Sequence, residues 1–246
     1  MYHPSPWIER DWARVSGLPL EGVSFQASDG TELFGWFVPS VTSAPVMLWC
    51  HGNAGNIINR LENLAELHHI GFSVFIFDYR GYGRSGGRPS EEGLYQDALA
   101  AYGHLTRARG IEHRRIVVFG RSLGSAVAGD LASRQPAAGL ILESAFPSIQ
   151  ELAKAYMWGL PAHWFLAARF DLAARLRDVH MPILVIHGDR DQVVPLRFGE
   201  QVFEAARPPK AFYRVNGADH NNLPVIGGER YFRRLKRFSD DVCLSS

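Results

Sequence analysis

Hydrophobic positions along this 246-residue chain fall into two alternating patterns. Short apolar runs occupy residues 46–50, 73–77, 116–119, 139–142 and 183–186, with a more mixed run at 211–215. The first five are apolar throughout, as strands covered on both faces must be. Between the runs, residues 57–69, 91–107, 122–132, 196–206 and 229–238 carry apolar side chains at helical spacing; Leu94, Ala98, Ala101, Tyr102 and Leu105 show it well. Two further segments, 23–27 and 33–38, alternate apolar and polar positions around Ser28-Asp29-Gly30-Thr31, where Asp-Gly marks a hairpin turn. Strands alternating with helices predict an α/β fold: a mostly parallel eight-stranded sheet with helices on both faces. In such a sheet, reactive groups belong on loops that follow the C-terminal ends of strands.

One connection breaks the rhythm. Between Leu142 and Pro182 lie about forty residues with no strand pattern. Ile149, Leu152 and Tyr156 share a helical spacing, and the segment is rich in aromatics. We expect residues 145–181 to form a short helical lid on a single domain spanning 1–246, with Tyr156, Trp158, Trp164 and Phe165 lining a substrate pocket. The plainer alternative is that these aromatics only glue extra helices to the domain.

Composition narrows the function classes. The chain is 46% hydrophobic, enough for one sizeable core, and its 26 basic and 25 acidic residues leave a net charge of +1. No electrostatic capture of nucleic acid or of an anionic membrane is expected. The one basic cluster, Arg230, Arg233, Arg234, Lys236 and Arg237, reads as the solvated face of the last helix. Cys50 and Cys243 lie far apart, imply no disulfide framework and fit a cytoplasmic location. No apolar run is long enough to span a membrane, and the first residues lack the basic start and apolar stretch of a signal peptide.

The stretch Gly120-Arg121-Ser122-Leu123-Gly124 stands between an apolar run and a helical segment. Strand, Gly-x-Ser-x-Gly, helix is the context of a nucleophile elbow, a turn so tight that glycines must flank the serine. A serine hydroxyl needs a base, and the base an orienting acid. Chain order then places the acid and the base after the serine. Of ten histidines only His220 follows the candidate acids, in the loop after the run at 211–215. The acid should follow the run at 183–186, where Asp189 and Asp191 compete; the spacing favours Asp191, and Asp189 suits turn-making. For oxyanion donors we expect the main-chain N–H of Leu123 and one from the loop His51-Gly52-Asn53-Ala54-Gly55-Asn56, with Asn53 first and Ala54 second.

These motifs, together with Asp78-Tyr79-Arg80-Gly81-Tyr82-Gly83-Arg84-Ser85, resemble the α/β-hydrolase superfamily. The nearest likeness is to serine aminopeptidase-like hydrolases and abhydrolase-domain depalmitoylases, over about residues 23–238. The resemblance implies Asp191 as the acid, His220 as the base, and structural roles for Asp78 and Arg80 at the site mouth. The membrane anchor and cysteine-rich N-terminus of some relatives have no counterpart in this sequence, and the lid is shorter than a true lipase's.

The expected activity is therefore hydrolysis of a small-molecule carboxylic ester or thioester by Ser122, His220 and Asp191 through an acyl-enzyme. An aminopeptidase-like amide hydrolase is the alternative; it needs an acidic pocket for the substrate amine, to which Glu143 could contribute, although a buried, hydrogen-bonded acid is its plainer role. A non-catalytic binding protein on the same fold is the reading from another class. Serine at the elbow argues against epoxide-hydrolase and dehalogenase chemistry, which use aspartate there. No metal-ligand spacing occurs, so no metal or organic cofactor is expected.

Overall fold

The computed structural model describes residues 2–41, 44–156 and 168–244. Its centre is an eight-stranded sheet built from β1 (Glu21–Gln26), β2 (Glu32–Val38), β3 (Val46–Cys50), β4 (Ser73–Asp78), β5 (Ile116–Arg121), β6 (Gly139–Glu143), β7 (Ile183–Gly188) and β8 (Lys210–Val215). The spatial order is β8-β7-β6-β5-β3-β4-β2-β1. Pairing is parallel from β8 to β4, and only β2 runs antiparallel to its neighbours β1 and β4. The hairpin predicted at 28–31 is the β1–β2 turn.

Side-chain alternation divides the core. On β3, Val46, Leu48 and Cys50 face one apolar cluster, and Met47 and Trp49 the other. The first cluster packs against α3 (Glu91–Gly103), α4 (Leu123–Arg134) and α7 (Leu196–Ala205); the second packs against α1 (Trp12–Ser16), α2 (Leu61–His69) and α8 (Leu223–Leu244). Both faces of the inner parallel strands β3 to β7 are thus dry, which is why their sequences are nearly continuous apolar runs, whereas the edge strand β8 is only partly buried and mixed. Among the described residues no helix is long and apolar enough to cross a membrane.

Several helix boundaries differ from the sequence expectation. The segment expected as one helix from 57 begins with a 3₁₀ turn, Ile57–Arg60, whose Asn56 cap accepts from the Ile58 N–H. The helix from 91 widens at its end into a π turn at His104–Ala108. The last helix starts earlier and is broken at Gly228, which adopts φ 50° and ψ −142°. Its basic side chains form i,i+4 pairs, Arg233 with Glu229, Lys236 with Asp240 and Arg237 with Asp241, on a partly solvated face. In the long connection after β6, α5 (Ile149–Tyr156) and α6 (Leu172–Arg175) are helical. Trp158, Trp164 and Phe165 lie outside the described residues.

Register fixes where chemistry can occur. Cys50 pairs with Gly120, Arg121 with Glu143, and Val215 with Gly188. The C-terminal ends of β3, β5, β6, β7 and β8 therefore share one rim, and the loops that follow them meet there. At the neighbouring edge, buried Arg80 ties three pieces together. Its Nε and Nη2 donate to Asp97 Oδ1 on α3 at 2.9 and 2.8 Å, its own N–H donates to Asp97 Oδ2 at 2.8 Å, and Nη1 reaches Asp29 of the hairpin at 2.7 Å. Asp97 is fully buried. Asp97→Ala strands the guanidinium and should lower unfolding free energy by about 3–5 kcal/mol, measured by urea denaturation; a loss below about 1 kcal/mol would show that Asp29 alone compensates Arg80.

Candidate active site

A single residue, Ser122, separates the end of β5 from the start of α4. Ser122 adopts φ 53° and ψ −119°, a backbone region costly for any residue with a Cβ. The flanking glycines permit it. A Cβ on Gly120 would stand 2.4 Å from the Gly124 carbonyl oxygen, and one on Gly124 only 2.0 Å from that of Cys50. The N-terminus of α4 is thereby pressed against the end of β3. The Ser122 N–H donates to the Glu143 carbonyl at 2.8 Å, and the Ser125 hydroxyl to that of Gly120 at 2.9 Å.

The structure brings Ser122, His220 and Asp191 together. His220 Nε2 lies 3.1 Å from Ser122 Oγ, and its Nδ1 lies 2.7 Å from Asp191 Oδ2. With Nδ1–H donating to the carboxylate, Nε2 is left to accept from the hydroxyl. Asp191 is held in turn by the Val193 and Val194 N–H groups at 2.9 and 2.7 Å. Burial pushes its pKa up, but the bond and charge of His220, the Val194 amide and His187 outweigh this and hold it below the ordinary range. His187 is buried and its Nε2–H donates to the Val194 carbonyl at 2.7 Å, bracing the same loop. Asp189, the competing acid, is exposed and accepts from the Gly217 N–H at 2.6 Å: it fastens the β7 loop to the β8 loop.

A buried network that the sequence did not reveal fixes the base loop from beneath. Arg121 donates through Nη2 to the His220 carbonyl at 2.8 Å, while its Nε lies 3.2 Å from Glu143 Oε1. The Tyr231 hydroxyl donates to the other Glu143 oxygen. Glu143 is only 1% exposed and serves this network rather than the cavity. A strand-end acid beside an elbow arginine is the signal that could have suggested the pair.

Beside Ser122 opens a cavity of about 370 Å³. Gly52, Asn53 and Ala54 of the β3 loop line it together with Leu123, Phe146, Ile149, Leu152, Val193 and Val194. Tyr156 is not among its walls. The Tyr156 hydroxyl is engaged by the carbonyls of Gln192 and of Val193, the latter at 2.9 Å, and clasps α5 to the Asp191 loop. Among the described residues no group of three or more His, Cys, Asp or Glu could hold a metal ion.

This arrangement has recognisable relatives. Residues 42–171 match the family described as serine aminopeptidase, S33. The chain is 33% identical over 221 residues to alpha/beta hydrolase domain-containing protein 17B of Xenopus laevis, covering 89% of this chain and 75% of that one. The chain belongs to the α/β-hydrolase superfamily. This α/β hydrolase is also 40% identical to an uncharacterised protein of Mycobacterium tuberculosis over 224 residues, covering 90% of this chain and 80% of the relative. It is 33% identical to the alpha/beta hydrolase domain-containing protein WAV2 of Arabidopsis thaliana over 244 residues, with coverages of 90% and 79%. A Pyrococcus furiosus esterase shares its fold with a TM-score of 0.81 at 19% identity, over 99% of this chain and 98% of that one. Family membership supports hydrolase chemistry.

Support for the β3 loop of this hydrolase comes from β4 and the turn after it. The Tyr79 hydroxyl donates to the His51 carbonyl and the Tyr82 hydroxyl to Asn53 Oδ1, both at 2.9 Å. Asp78 accepts from the Ile57 N–H at 3.0 Å. Burial pushes the Asp78 carboxyl up to about 7, against the Ile57 and Arg84 amides and the charge of Arg60. Burial, and then Arg60, push the neighbouring His51 ring down to about 3. Cys50, also fully buried, has its thiol pushed up to about 12 and is inert.

Asp78 and His51 thus pull stability in opposite directions with pH. An unfolded aspartate titrates near about 3.9, so between that value and about 7 the folded state holds a proton on Asp78 that the unfolded state has lost. Its stabilising contribution is full below the window and is lost as pH rises through it. His51, kept neutral by burial, contributes the reverse slope. Asp78→Asn isolates the first effect: across pH 4–7 the variant should gain stability relative to wild type by up to roughly 1.4 kcal/mol per pH unit. A flat difference in urea-unfolding free energy across that range would show that Asp78 stays ionised.

Proposed function

We propose that this protein is a serine hydrolase of carboxylic esters or thioesters. The observation that carries the reading is the continuous contact from Ser122 Oγ to His220 Nε2 at 3.1 Å and from Nδ1 to Asp191 Oδ2 at 2.7 Å. Ser122 attacks the acyl carbonyl while His220 takes its proton. The imidazolium then protonates the leaving group, and Asp191 stabilises it and holds the ring. Water enters, His220 acts again as base, and the acid is released from the acyl-enzyme. Leu123, at the start of α4 where amides lack intrahelical partners, and Asn53, which lines the same cavity, supply main-chain N–H groups to the oxyanion.

The cavity's size favours short to medium acyl chains, because it lies near the small end of the 300–1,000 Å³ range of ligand pockets. Of the segment expected as a lid, the described residues Phe146, Ile149 and Leu152 line the cavity, which supports their part in holding the acyl group. The family description names an aminopeptidase, but Glu143, the acid available to hold a substrate amine, is spent on Arg121 and Tyr231. This favours esters over N-terminal peptides.

Wild type and Ser122→Ala should be compared on p-nitrophenyl esters from acetyl to palmitoyl, with an acyl thioester and an aminoacyl anilide alongside. Wild type is expected to turn over the shorter esters, and the variant to lose about 10⁴–10⁶ in kcat. Turnover of the anilide alone would move the aminopeptidase reading ahead; equal rates in both proteins would remove Ser122 from the chemistry.

A further inference from the structure

The cavity beside Ser122 carries an unbalanced positive charge. Two arginines, Arg60 and Arg121, line it, and no aspartate or glutamate does among the described residues. Arg121 is answered by Glu143 at 3.2 Å. Arg60 has no such answer. Its Nη2 donates to the Ala54 carbonyl, and its buried Nε has no hydrogen-bond partner. Asp78 lies near enough for its charge to be felt, but it makes no ion pair with Arg60 and gives Oδ1 to the Ile57 N–H. Burial, and then the repulsion of Arg121, push Arg60 down to about 10, so it remains a cation at neutral pH.

A mostly buried cation without a counterion is costly. Charged groups perturbed in this way within a cleft concentrate at functional sites. The guanidinium fork matches the oxygens of a carboxylate or phosphate. We propose that Arg60 receives an oxyanion carried by the substrate itself, so that the ester or thioester cleaved at Ser122 belongs to an anionic small molecule. The inference rests on Ser122 being the nucleophile and names the substrate class of that site. Cavity dimensions agree: Arg60 and Ser122 both line the one cavity of about 370 Å³, so the anion and the scissile carbonyl belong to the same compact ligand.

The test compares three substrates with one leaving group: mono-4-nitrophenyl glutarate, its neutral methyl ester, and 4-nitrophenyl 4-phosphonobutanoate. Wild type should favour at least one charged ester over the neutral one by about 10–100-fold in kcat/KM, the value of a charge-assisted hydrogen bond. Whichever charged ester leads identifies the oxyanion. Arg60→Met should collapse the ratio towards one, whatever happens to the absolute rates, and Arg60→Lys should retain part of it. Equal kcat/KM for charged and neutral esters in wild type, or an unchanged ratio in Arg60→Met, overturns the proposal; the wild-type arm does not depend on the variants folding. If no ester of any charge is cleaved, the hydrolytic reading fails separately. Calorimetric titration with glutarate, methylphosphonate and neutral glutaramide then decides the anion site: binding of either anion but not glutaramide, abolished in Arg60→Met, supports it, and no anion binding overturns it.

Discussion

The close approach of α4 to the end of β3 is the constraint on which the rest of the site depends. Gly124 has no room for a single methyl group against the Cys50 carbonyl. That contact sets the distance between the elbow and the β3 loop. Ser122, the first amides of α4 and the 51–56 loop can therefore face one cavity only because the helix starts where a side chain would have kept it away. The unfavourable φ of Ser122 is maintained by the same crowding, with the Glu143 carbonyl holding its amide from the next strand.

Around this fixed point, the site is assembled by contacts to main-chain atoms more than by contacts between side chains. Arg121 grips the His220 carbonyl, Tyr79 the His51 carbonyl and His187 the Val194 carbonyl, while Asp191 is held by two amides. Loops so fastened keep their course without packing of their own, which suits segments that must leave space for a ligand. The electrostatics follow the same division. Cations and acids within the scaffold, Arg80 with Asp97 and Arg121 with Glu143, neutralise one another, and Arg60 is left to face the cavity.

Much of this was legible in the sequence because it depends on local pattern and chain order. Uninterrupted apolar runs mark strands buried on both faces, and Gly-x-Ser-x-Gly between a strand and a helix marks the elbow. His220 follows from order along the chain, which leaves Asp189 and Asp191 as acids; spacing and the family resemblance favour Asp191, and the structure places Asp191 and His220 beside Ser122. What escaped depends on phase or on distance in sequence. A 3₁₀ turn advances three residues per turn rather than 3.6, so reading residues 57–69 as one regular helix hid the direction Arg60 takes. Arg121, Glu143 and Tyr231 come from three separate elements, and no local window contains them. Tyr156 fell at the expected helical position, yet its hydroxyl reaches sideways to a loop rather than inward to the cavity.

The Tyr156 clasp carries a mechanical consequence. The carbonyls it holds belong to Gln192 and Val193, which directly follow Asp191, and the Val193 amide bonds the Asp191 carboxylate. One hydroxyl thus ties α5 to the segment that keeps the acid in place, so the position of that helix and the position of the Asp191 carboxylate are set together.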